Sequence, residues 1–218
     1  MEQEIRKILN RKYPFELIPL DYEEDSFPSY FMTPEIFSYH RHKHHLGYIN
    51  KINSIISANE NLKKMTLEEL IEHGRFIEEK GIFNNAGQIW NHDFFWFSIS
   101  PHNKNKDQTQ LWKLIVKQYS SWENFVETFT NISINHFGSG WSWLTSSNGH
   151  LSIITTSNAE TPLNKATYPI FTCDLWEHAY YLAFKNDRAG YVKTMLNEFL
   201  NWKVLEQNYI ASLVCNTQ

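Results

Sequence analysis

Only two cysteines, Cys173 and Cys215, occur in the 218 residues, too few for a disulfide framework, and Cys173 sits beside Asp174 in an apolar run. A buried free thiol and a reducing compartment are expected. Long apolar runs are missing as well. Nothing approaches the roughly 18 residues of a membrane span, and Met1-Glu2-Gln3-Glu4 has neither a hydrophobic signal core nor the acid-poor character of a transit peptide. A cytoplasmic protein with no membrane partner is the expectation. Excess positive charge is also lacking: the formal net charge of -4 gives no footprint for nucleic acid or an anionic membrane, so an anionic substrate would need local positive charge. No internal repeat and no low-complexity segment is found. Aromatic side chains are what the chain has in abundance. They make up 16% of residues, with 8 Trp, 11 Tyr and 15 Phe, at a length that can bury a real core.

Local signals divide the chain in two. Thr33-Pro34-Glu35 opens a helix, with Thr as N-cap and Pro at the first helical position, where its missing N–H costs nothing. Helical spacing then places Tyr39, His40, His44, Tyr48 and Ile52 on one face. Thr66 caps a second helix over 67 to about 79, and a third is predicted over 86–97. The polar stretch 101–107 is the best boundary. Beyond it, helices are predicted near 108–118 and 122–135. Strands at 141–145 and 151–155 flank Ser147-Asn148-Gly149, where Asn-Gly supplies the positive φ of a tight hairpin. A third strand, 169–173, runs into Asp174. From Asp187, apolar residues recur with helical spacing to about 209. Residues 1–12 read as an added arm, a short amphipathic helix with Ile5, Ile8 and Leu9 on one side. The expected fold is α+β: extension 1–12, a helical N-terminal domain 13–103 built as an antiparallel helical hairpin, and a C-terminal α/β domain 104–218 with a small three-stranded antiparallel sheet.

The chemistry is concentrated in three motifs. Asp174-Leu175-Trp176-Glu177-His178 puts a carboxylate and an imidazole four positions apart; His40 lies within Tyr39-His40-Arg41-His42-Lys43-His44-His45, and His92 within Gln88-Ile89-Trp90-Asn91-His92. Three neutral imidazoles and one carboxylate suit a first-row transition metal, with a position left for solvent. Such a donor set also suits zinc. Taken alone, His40 reads as one of a solvated cluster and His92 as a satisfied core histidine. Their joint occurrence with Asp174 and His178 favours ligation. His42, His45, His73, His102, His136 and His150 lack such support and read as structural or surface residues.

With Asp174, Trp176, Glu177, His178, Ala179 and Tyr180 matching the pattern D-x-W-E-H-A-[FY], the chain closely resembles the iron/manganese superoxide dismutases from about residue 13 onward. The resemblance implies a ligand set of His40, His92, Asp174 and His178 and ping-pong dismutation of superoxide to oxygen and hydrogen peroxide. It also implies a gateway of Tyr48 and His44, with Tyr48 hydrogen-bonded toward Gln88, and walls of Trp90, Trp141 and Trp176. Lys43 reads equally as an aid to superoxide entry or an ordinary solvated lysine. A homodimer is implied, in which Glu177 reaches the partner's ligand histidine and Tyr181 its gateway histidine. Gln88 with Ala159 resembles the iron type, since manganese-type members have Gly at the first position and supply Gln or His near the second. Manganese use remains an alternative, as does, in another class, a catalytically silent metal-binding scaffold. Departures from the usual iron pattern occur at Tyr30, Phe31, Phe95, Ala183, Phe184 and Lys185.

Overall fold

The computed structural model describes residues 9–102, 106–163 and 167–215. The expected helix through Ile5 and Ile8, part of the 101–107 boundary stretch and the Cys215 side chain lie outside the described residues.

The Thr33 hydroxyl accepts a hydrogen bond from the Ile36 amide and Pro34 opens α1 (Pro34–Phe37), as the cap predicts. The chain then winds as a π-helix over Ser38–His45 before returning to α-geometry in α2 (Leu46–Ile56). This segment departs from the single α-helix expected. Its wider i→i+5 turn places both His40 and His45 inside, five residues apart, where ordinary α-winding separates them on the surface. After a short α3 (Glu60–Lys63), Thr66 and Glu69 form a capping box that starts α4 (Leu67–Phe76). This helix ends three residues earlier than expected, because Glu78 turns to φ 56° and the Glu79 side chain caps α5 (Lys80–Ser98) through the Gly81 amide. From Ala86 to Ser98 every residue of α5 is buried, as a helix enclosed on all sides requires. It packs on α2 and α4 within the N-terminal half and on the sheet beyond it.

In the second half, α6 (Gln110–Tyr119) and α7 (Trp122–Asn135) precede β1 (Gly140–Ser147), β2 (His150–Ser157) and β3 (Tyr168–Asp174). The sheet is antiparallel in the order β2-β1-β3. Asn148 and Gly149 take φ 50° and 75°, the two positive values a tight hairpin demands. Register sets Trp141 opposite Asp174, so an indole lies level with the end of β3. Then follow α8 (Glu177–Phe184), α9 (Arg188–Thr194), a π-segment Met195–Phe199 and α10 (Trp202–Cys215).

The helix expected to run unbroken to about 209 is interrupted. Leu200 is extended and bridges Ile99, while the Ser100 amide donates to the Phe199 carbonyl and the Asn201 amide to that of Ser98. Apolar periodicity continues across the break, so only the long-range pairing with the end of α5 reveals it. The result is a helical hairpin half and an α/β half sharing one aromatic core, in which Phe31 stacks on Phe199 at 4.2 Å between ring centroids.

Candidate metal centre

His40 from the π-segment, His92 from α5, Asp174 at the end of β3 and His178 in α8 converge, with one donor atom of each lying within 4.8 Å of all the others. Asp174 Oδ2 stands 3.1 Å from His40 Nε2, 3.4 Å from His178 Nε2 and 3.9 Å from His92 Nε2. All four atoms are buried without a hydrogen-bond partner. Such orphaned groups are rare in protein interiors. Ligands each about 2.1 Å from a shared cation stand no more than about 4.2 Å apart, a bound the three distances from Asp174 meet. The residues present therefore fit a metal ion.

Neighbouring groups prepare the donors. The Gln88 carbonyl can only accept, so the 2.7 Å contact from His92 Nδ1 fixes the proton there and leaves the Nε2 lone pair facing the cluster. The Trp176 amide donates to Asp174 Oδ1 at 2.8 Å, leaving Oδ2 free. Burial lowers His40 to about 4, against the pull of Asp174, and carries His92 well below the usual imidazole range. Both are neutral near pH 7. Burial alone would raise Asp174, but the imidazoles of His178 and His40 outweigh it and hold the carboxyl below its ordinary range. Deprotonated donors are what a cation requires.

Aromatic rings enclose the cluster. Trp141 meets His92 edge-on at 5.0 Å, Trp176 lies 5.8 Å from His178, and His40 packs against Phe95 and Trp96. Trp90, expected in this wall, instead packs on Phe94 and Trp143 and donates its indole N–H to Glu68. Trp96 escaped the sequence reading because nothing local distinguishes a wall residue from core. His44 stacks on His178 at 4.1 Å and Tyr48 lies 5.5 Å from His92. Tyr48, Gln88, Asn158, Ala159 and Trp176 line one cavity beside the cluster. Gln88 donates to the Asn158 carbonyl at 3.5 Å; among the described hydrogen bonds none joins it to Tyr48. Burial, with a smaller push from Asp174, raises the Tyr48 phenol to about 12 and keeps it a proton donor. Glu177 is exposed beside His178, and Tyr181 is 46% exposed. Lys43 is also exposed.

His45, expected to be structural or on the surface, is fully buried and stacks on His92 at 5.2 Å. Next to His92, Asp93 is buried and ion-paired to Arg11. Burial pushes its carboxyl up to about 7 against the lowering influence of Arg11 and Arg41. No pattern of local spacing pointed to this cluster. The thiol of Cys173 is buried and free, and burial raises its pKa.

Comparison with known proteins agrees with this geometry. Residues 14–100 match the family model described as iron/manganese superoxide dismutases, alpha-hairpin domain, and residues 107–208 match that of the C-terminal domain. A superoxide dismutase [Mn/Fe] of Rickettsia typhi is 42% identical over 205 residues, 94% of this chain and 98% of the relative. A superoxide dismutase [Fe] of Coxiella burnetii is 39% identical over 196 residues, 89% of this chain and 98% of the relative. One of Leptolyngbya boryana, also named [Fe], is 37% identical over 194 residues, 88% and 97% of the two chains. Two domain matches that together span nearly the whole chain, and relatives covered almost end to end, make this protein a member of the iron/manganese superoxide dismutase family.

Proposed function

We propose that His40, His92, Asp174 and His178 hold one iron ion, at which the chain converts two superoxide anions and two protons to oxygen and hydrogen peroxide. The observation carrying this reading is the meeting of four buried, unpartnered donor atoms from four separate elements. Iron, when bound, supplies one-electron chemistry, accepting an electron from one superoxide and returning it to the next.

The protein's own groups do the rest. Trp141, fully buried and anchored by its indole N–H to the Asn158 carbonyl at 3.0 Å, keeps bulk water from His92. Tyr48 and His44 form the gateway, with the Tyr48 phenol protonated and able to pass a proton inward. Gln88 orients solvent at the ion from the same cavity. Ala159 lies close enough that its carbonyl oxygen fills the space beside Gly87, and Gln88 and Ala159, the two outer positions, line one cavity. A side chain at one and Ala at the other supports the iron reading; manganese is possible with the same ligands.

The exposed Phe137, Leu182, Tyr181 and Ile134 support a two-fold homodimer, with Glu177 reaching the partner's ligand histidine and Tyr181 its gateway. We place the domain boundary between 103 and 104, treat residues 1–12 as an extension, and place the protein in the cytoplasm, a compartment suited to the free thiol of Cys173. No helix among the described residues is long and apolar enough to cross a membrane.

Reconstitution tests the central reading. Iron-loaded protein is expected to dismutate superoxide, and metal-free protein is expected not to; equal activity in both would overturn it. Activity of the manganese-loaded form, measured alongside, assigns the metal. Glu177→Ala is expected to weaken the dimer by about 2 kcal/mol or more and to speed iron loss, since it leaves a polar partner unpaired. Sedimentation and metal content of the variant check both. A fully dimeric, fully metallated variant would remove Glu177 from the bridge.

A further inference from the structure

Packed against His92 lies a second buried cluster, formed by Asp93, His45 and Arg11. Asp93, one residue on, is only 1% exposed. Neighbouring helical residues diverge by about 100°, and the Asp93 carboxylate contacts the π-segment: its Oδ1 stands 3.4 Å from Nε2 of His45, whose ring stacks on His92. Asp93 and His45 therefore join the helix carrying His92 to the segment carrying His40. The second oxygen of Asp93 accepts from the guanidinium of Arg11, which also donates to the Glu16 carbonyl. Among the described residues, Arg11 is the charged group within ion-pair reach of Asp93.

Arg11 lies at the end of the N-terminal extension, and it is firmly held. The Leu67 amide donates to its carbonyl at 3.0 Å, Lys12 bridges Thr66, and the Asn10 amide donates to Glu68, which also accepts from Trp90. The start of α4 thus acts as a clamp that presents Arg11 to α5.

We propose that Arg11 is a positioning residue for the metal centre, holding Asp93 against His45 so that His92 and His40 keep their separation across two elements. Without the guanidinium, the Asp93 oxygen that accepts from it is left buried without a partner, and α5 shifts to admit water. The displacement passes to His92 through one peptide unit and through the stacked His45 ring. Outer groups that orient metal ligands change metal affinity by roughly 10- to 100-fold when removed.

This inference rests on the metal-site reading, so its test uses full-length, iron-loaded protein and two readouts other than turnover. These are the rate of iron loss to excess chelator and the electron paramagnetic resonance spectrum of the ferric ion. Arg11→Met is expected to lose iron about 10-fold faster or more and to change the rhombicity of the spectrum. Arg11→Lys, which keeps the charge, is expected to recover most of the retention. Arg11→Met combined with Asp93→Asn is expected to hold iron better than Arg11→Met alone, since the carboxyl that the guanidinium satisfies is gone. Wild-type iron loss and spectrum in Arg11→Met would overturn the proposal, as would equal loss from the single and double variants. Should Arg11→Met fail to fold, the double variant decides: restored folding with iron retention supports the role, and a second failure rejects it. Failure of the unaltered protein to bind iron would overturn the metal-site reading instead.

Discussion

Replacing His92 by Ala is expected to lower superoxide dismutation by more than about 100-fold, beyond what loss of an outer orienting group causes. His92 is fully buried, its Nδ1 proton is committed to the Gln88 carbonyl, and its Nε2 faces three other donors without a partner of its own. Truncation removes one of four donors and opens a void between Trp141 and His45, whose rings both pack on this imidazole. The fold itself should survive, with a cost of about 1–3 kcal/mol typical of such a change. Metal analysis, steady-state turnover and a thermal melt on one preparation separate these effects. Full activity in a variant shown to hold no metal would end the assignment.

Gly87→Ala is expected to be severe for a substitution of one methyl group. An added Cβ would meet the Ala159 carbonyl oxygen at 2.3 Å and the carbonyl carbon at 3.3 Å, and backbone atoms cannot rotate aside as a side chain can. The loop after β2 has to move. With it goes the Asn158 carbonyl, which accepts from both Trp141 and Gln88. Overpacking of this kind costs about 1–3 kcal/mol, equivalent to a melting point lower by roughly 2–12 °C for a chain of this size. Activity should fall with it, because the wall and the outer glutamine lose one shared anchor. Gly47→Ala is the control: nothing lies within 4 Å of its added Cβ, and a helix interior gains about 0.5–1 kcal/mol from the exchange. Equal melting points and activities for Gly87→Ala and the unaltered protein would show that the loop yields freely.

The element types were legible because each is written locally. A Thr-Pro start, a cap at Thr66 and Asn-Gly between two strands depend on neighbours in sequence, and the structure builds each where it is expected. His40, His92, Asp174 and His178 were singled out as a set because their motifs resemble those of the family, although their meeting point was not visible in the chain. Trp90 shows the limit of that reasoning: lying two residues before a ligand on a helix enclosed on all sides, it faces Phe94 and Trp143.

The sequence by itself determined an aromatic-rich α+β chain with its caps and turns, because those rest on side-chain chemistry and short-range backbone preference, while the four donors were singled out through the match of their motifs to the family. Tertiary structure alone decided the π-winding that buries His40 and His45 together, the break at Leu200, and the delivery of Arg11 to Asp93 across 82 positions. Each of these follows from contacts between segments far apart in the chain, where packing and the burial of charge outweigh what any local pattern of residues prefers.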